Sequence, residues 1–89
     1  MSKDIFEVLF RKKPCMMLVE LVQSDEELYA SALAKKVDCT YSHVVKVLQQ
    51  MRDADLLEFD KRGRLKIINL TEKGEEIAEN IANVRRLTD

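Results

Sequence analysis

Thr40, Tyr41, Ser42, His43, Val45, Lys46 and Gln49 lie in one short stretch, TYSHVVKVLQ, whose polar members are hydrogen-bonding side chains with one cation and no carboxylate. The lysine ammonium suits a guanine edge, the glutamine amide an adenine edge, and either suits a phosphate. A second set, Lys61, Arg62, Arg64 and Lys66, has only Glu58 and Asp60 beside it, so segment 58–66 nets 4 − 2 = +2. Such a charge can hold phosphates, although a charged hairpin edge also serves simply to block pairing with another chain. Cys39 and His43 stand at i, i+4, and with a third ligand they could bind Zn²⁺ or Cu⁺. Two ligands do not close a metal site, and Cys39 is equally a small hydrophobe in a turn with His43 near solvent. No metal and no cofactor is expected. One histidine, two well-separated cysteines and no glycine-rich loop leave no nucleophile–base–orienter constellation, which excludes the common enzyme designs.

A helix must carry the first set. On a 3.6-residue period Val44, Val47, Leu48 and Met51 fall at i, i+3, i+4, i+7 and form a core-facing stripe. Tyr41, Ser42, Val45, Lys46 and Gln49 are left for the opposite side. Thr40 is the expected N-cap, which places Tyr41, Ser42 and His43 where the unpaired N–H groups and the helix dipole favour an anion. Ahead of it, Ser31 is expected to cap a helix over Ala32–Val37, with Leu33 and Val37 inward and Lys35 and Lys36 exposed. The short link through Asp38 and Cys39 forces the two helices to cross steeply, as in a helix-turn-helix.

The other elements read as support. Pro14 fits the first position of a largely apolar helix running to about Gln23. Ser24–Glu27 is an acidic loop, repellent to phosphate and expected to turn away from nucleic acid, and Leu28 and Tyr29 suit one short strand. After Met51 the helix is expected to end. Leu57–Asp60 and Arg64–Ile67 alternate apolar and polar about a Lys61–Gly63 turn, the pattern of a basic-tipped hairpin. Thr71 caps a final helix in which Ile77, Ile81 and Val84 recur at i, i+4, i+7. At the other terminus residues 4–10, DIFEVLF, are too short for periodicity to decide between helix and strand, and a helical turn is the preferred reading. Ile5, Phe6, Leu9 and Phe10 are expected to put three or more large side chains on one side of it, packed on a second subunit or on their own core, two readings the sequence leaves open. Together with Ile77, Ile81 and Val84 they form the candidate dimer interface.

With 89 residues the chain is expected to form a single domain over 1–89, divided into an N-terminal arm (1–13), a core and hairpin (14–70) and a C-terminal helix (71–89). A domain this small is often reinforced by dimerisation. The net charge of −1 supplies no overall field toward nucleic acid or an acidic membrane, so any such attraction must be local. Two cysteines, with no signal-peptide pattern and no apolar run of membrane-spanning length, point to a reducing cytoplasm and no membrane partner.

The helix SALAKKVD, the helix VVKVLQQMRDADLLEF and the LTEKG opening of the last helix resemble the winged helix-turn-helix family of prokaryotic regulators, over roughly Pro14 to Val84. The likeness is to the small archaeal members and the multiple-antibiotic-resistance and arsenic-repressor types. It implies a mainly α fold with a small antiparallel β-hairpin, non-enzymatic, with Thr40–Ala54 in a major groove and the hairpin around Lys61–Lys66 along the backbone or minor groove. By resemblance Thr40, Tyr41, Ser42, Val45, Lys46 and Gln49 face the groove, and Lys61, Arg62 and Arg64 form the wing set. Asp55 stands where the family usually has glycine. The implied function is a homodimeric, sequence-specific regulator binding double-stranded DNA; the alternative is an interaction module of the same fold with a protein partner.

Overall fold

The described residues, 4–89 of a computed structural model, run α1 (Ile5–Leu9), α2 (Lys12–Gln23), α3 (Ala30–Val37), α4 (Tyr41–Asp53), β1 (Leu57–Arg62), β2 (Leu65–Leu70) and α5 (Glu72–Thr88). This is the winged helix-turn-helix expected from the sequence. Residues 1–3 of the expected arm lie outside the described residues. The DIFEVLF segment is helical, capped by the Asp4 carboxylate accepting from the Phe6 N–H at 3.0 Å. Three of its large side chains, Phe6, Leu9 and Phe10, share one side as expected, and Ile5 does not join them. Val8 is buried and Ile5 packs inward beside it, while Phe6 and Phe10, four residues apart, point out.

Other boundaries shift for local reasons. α2 starts at Lys12, so Pro14 is its third residue, still within the first turn where a missing N–H leaves no bond unmade. α3 starts at Ala30 behind Tyr29, which makes no side-chain cap; Ser31 lies inside the helix and exposed instead of capping it. Lys13 Nζ reaches across to donate to the Val37 carbonyl at 2.6 Å, closing the far end of α3. α4 continues past Met51 to Asp53.

Both helices of the pair end in the same way. Asp38 (φ 54°) and Asp55 (φ 64°) take the left-handed conformation. Cys39 N–H then returns to Ala34 O at 3.0 Å and Leu56 N–H to Met51 O at 2.9 Å, the long bond of a Schellman stop. A short polar side chain tolerates this region, which is how Asp55 replaces a glycine.

The strands are longer than the alternation alone suggests and pair antiparallel, with Leu57 opposite Leu70, Phe59 opposite Ile68 and Lys61 opposite Lys66. Lys61 and Arg62 therefore belong to β1, and the turn is Gly63–Arg64. Gly63 (φ 61°) supplies the positive φ that a two-residue hairpin link requires at its first position. On the other edge of β2 the expected short strand is a single bridge, Leu28 to Ile68. Met17, Leu18, Leu33, Val44, Leu48, Met51, Leu56 and Leu57 fill the core at 1% exposure or less, and the inward stripe of α4 is fixed from α1, α3 and β1 at once. A helix anchored along one whole stripe presents the other as a rigid face.

Candidate nucleic-acid interface

Thr40 Oγ1 accepts from the His43 N–H at 3.3 Å, so α4 begins where the sequence places it and its first turn stands at the surface. Tyr41, Ser42, His43, Lys46 and Gln49 are exposed, as is Thr40; Val45 is half-buried against the hairpin side. At 100° per residue Ser42, Lys46 and Gln49 cluster opposite the buried stripe, joined at the far end by Asp53. The outer face is therefore polar and free of carboxylates over its first three turns. Cys39 packs half-buried against the core, and among the described residues no group of three or more His, Cys, Asp or Glu side chains gathers as a metal site would need.

The hairpin cations separate into two environments. Arg62 donates from Nε to Asp60 Oδ2 at 3.0 Å and from Nη1 to Glu27 Oε1 at 2.7 Å. The Asp60 hydrogen bond, with the negative charge of Glu27, holds its pKa above the ordinary arginine value. Arg62 is thus an already neutralised cation. The acidic loop is not turned away from the candidate interface; Glu27 leans on the wing, brought there by the Leu28 bridge to β2.

Toward α4 the picture reverses. A cleft of about 270 Å³ between α4 and the hairpin is lined by Arg52, Arg64 and Lys66 together with Tyr29, Tyr41 and Phe59, and no carboxylate lines it. The guanidinium of Arg52 lies 5.7 Å and the ammonium of Lys66 5.8 Å from the centre of the Phe59 ring. Arg52 and Phe59 are not in the set drawn from the sequence. Nothing in local sequence spacing relates Arg52 to Lys66.

A separate apolar groove of about 650 Å³ runs between α1, α2 and α5 on another part of the surface. Phe6, Leu9, Phe10, Ile77, Ile81 and Val84 all line it, and Ile5 does not. Phe6 and Phe10 are 63% and 77% exposed with their rings edge-on at 4.7 Å, and Val84 is 59% exposed.

Against known proteins, the model of the HVO_A0114 family matches residues 12–77, most of the chain. The chain belongs to the HVO_A0114 family. This family member is 29% identical over 87 residues to a protein of Archaeoglobus fulgidus, covering 94% of this chain and 92% of that one. The crystal structure of AF1382 from Archaeoglobus fulgidus superposes with a TM-score of 0.84 at 27% identity, covering 97% of this chain and 98% of that one. Two longer proteins share the fold. AdcR, the adhesin competence repressor of Streptococcus pyogenes, gives a TM-score of 0.81 at 24% identity over 92% of this chain and 61% of its own. MepR, a transcription regulator of the Staphylococcus aureus multidrug efflux pump MepA, gives 0.79 at 19% over 94% and 64%. The chain thus has the winged-helix architecture of these two proteins in less than two thirds of their length. Among its described residues no helix is long and apolar enough to cross a membrane.

Proposed function

We propose that the protein is a homodimeric, sequence-specific DNA-binding transcriptional regulator. The observation that carries this reading is the outward stripe of α4: Ser42, Lys46 and Gln49, held rigid from behind by a fully buried stripe, free of carboxylates until Asp53, and flanked by a cleft lined with cations. Lys46 and Gln49 read base edges in the major groove. Thr40, Tyr41, Ser42 and His43 at the helix start, with Val45 beside them, meet the groove wall and a backbone phosphate. Lys61, Arg64 and, once released from Glu27, Arg62 hold the flanking strand. The winged-helix fold shared with known transcription regulators supports the same reading, as an analogy of architecture.

The dimer rests on the groove between α1 and α5. Phe6, Phe10 and Val84 form an exposed apolar patch of the kind that marks an interface, and Phe6, Leu9, Phe10, Ile77, Ile81 and Val84 meet there although α1 and α5 are at opposite ends of the sequence. Phe6→Asp introduces an uncompensated charge into that surface and converts dimer to monomer, read by light scattering at tens of micromolar. A wild-type monomer at that concentration removes the dimer from the proposal.

A random-oligonucleotide selection followed by competition titrations of selected and scrambled duplexes at two salt concentrations tests the DNA reading. A preferred site with strong salt dependence is expected. Equal, weak, salt-independent binding to every duplex overturns it and favours the protein-interaction module.

A further inference from the structure

We propose that Phe59 is a positioning residue that holds Arg52 and Lys66 as a phosphate clamp in the cleft between α4 and the hairpin, gripping the DNA strand that borders the groove on the wing side. The proposal rests on the DNA-binding reading above and adds a site to it. Arg52 and Lys66 come from different elements, the last turn of α4 and the second strand, yet both charges lie within 6 Å of one ring. The electron-rich face of an aromatic ring attracts such cations and limits where they can go. Phe59 is itself fixed: it is half-buried, packs against the core and stands opposite buried Ile68 in the strand register. A rigid ring therefore sets the position of two otherwise long and mobile side chains.

The charge around the ring has little to balance it. Lys66 pairs across the strands with Lys61, a like-charge arrangement that is unfavourable by itself. Arg64 adds a third cation to the cleft lining, where no carboxylate is present. Arg52 has one acidic neighbour, Asp53 at 3.6 Å, its own sequence neighbour and 74% exposed. Three cations gathered with one exposed carboxylate at their edge leave an excess of positive charge, so the arrangement suits a negative ligand. The cleft opens beside Tyr41 and Gln49 of α4, so an anion there lies alongside a groove read by that helix. A backbone phosphate meets those conditions, and Ser31 and the two tyrosines in the lining offer hydroxyl donors to its oxygens.

Full-length Phe59→Leu, Phe59→Trp, Arg52→Ala and Lys66→Ala proteins are titrated with the selected duplex and a scrambled duplex at several salt concentrations, with thermal melts as a check on folding. Arg52→Ala and Lys66→Ala are expected to lower both affinities alike and to flatten the slope of log K against log salt by about one each. Phe59→Leu keeps an apolar side chain but removes the ring's hold, and is expected to weaken both duplexes roughly three- to tenfold. Phe59→Trp restores binding, since indole attracts cations at least as well as a phenyl ring. Melting temperature, which a purely structural role would move together with affinity, does not track that order. If Phe59→Leu and Phe59→Trp bind alike, or if the two cation variants keep the wild-type slope, the clamp is wrong while the DNA reading stands. Wild-type protein that binds no duplex removes both.

Discussion

The two faces of the hairpin come from the same two strands and have opposite electrostatics. On one face Asp60 and Arg62 follow Glu58, and Arg62 is bound by Asp60 and Glu27. On the other, Phe59 and Lys61 face Ile68 and Lys66, and the cleft beside them has cations and no acid. A formal +2 over 58–66 conceals this division. Side chains alternate across a strand, so the pleat puts the carboxylates and Arg62 together and leaves the lysines with the aromatic ring. Cations near a candidate interface are therefore not equivalent; what matters is whether an internal acid has reached them before a phosphate does.

Removing the unpaired cations breaks the comparison most severely. Arg64→Ala with Lys66→Ala should weaken binding to selected and scrambled DNA equally and flatten the salt slope by roughly two, measured by fluorescence titration between low and physiological salt. Gln49→Ala comes next and separates base reading from charge. It should lose on the order of 1–3 kcal/mol at one base position of the selected site and leave scrambled-DNA affinity and the salt slope nearly unchanged.

The paired arginine should matter less. Arg62→Ala is expected to reduce affinity and slope by less than either Arg64→Ala or Lys66→Ala, because a phosphate gains only what Arg62 gives up with Asp60 and Glu27. Equal losses from all three would show that the carboxylates do not mask it. The smallest expected effect is a gain. Glu27→Gln frees one bond of Arg62, raises affinity slightly for every duplex and steepens the slope by up to about one. The raised pKa of Arg62 works in the same direction at all ordinary pH. A cation whose folded pKa lies above its unfolded value keeps its contribution below the unfolded one and loses it only as pH climbs through the folded one, here above the ordinary arginine range. Deprotonation of Arg62 therefore adds nothing to the pH dependence of the Glu27→Gln effect between roughly pH 6 and 9. The contact yields to salt and not to loss of the arginine proton.

Much of this was legible in the chain. Regular apolar spacing identified the buried stripe of α4, and the hydroxyls of Thr40 and Thr71 marked two helix starts, since capping is a local exchange between neighbours in sequence. Tyr29 and Ser31 show where local cues fail: α3 begins at Ala30 because its inward residues are held by α2 and α4, whatever side chain precedes them. The strand alternation was legible only over Leu57–Asp60 and Arg64–Ile67, with Lys61–Gly63 as the turn, so it left Arg62 in one basic set with Lys61 and Lys66. It could not reveal Glu27, thirty-five residues from Arg62, or bring Arg52 over Phe59, because both contacts depend on how elements pack after they form. For the same reason DIFEVLF reads as one apolar segment, whereas the helix turns Val8 and Ile5 inward and the two phenylalanines out.

The junction of α4 and α5 has a mechanical meaning. Thr71 sends its N–H to Leu56 O at 3.0 Å and its hydroxyl to Asp55 O at 2.7 Å, and Lys73 Nζ donates to Ala54 O at 3.0 Å. Gly74 lies so close behind that any Cβ would overlap the Leu56 carbonyl. The end of α4 and the start of α5 thus turn as one piece, with no hinge to absorb a rotation. In the proposed dimer α5 becomes an axle and α4 the tooth fixed to it, and the two teeth must sit about 34 Å apart to engage successive turns of the groove. In such a dimer a change of pitch between the two axles at the Phe6–Val84 groove passes undiminished to the teeth.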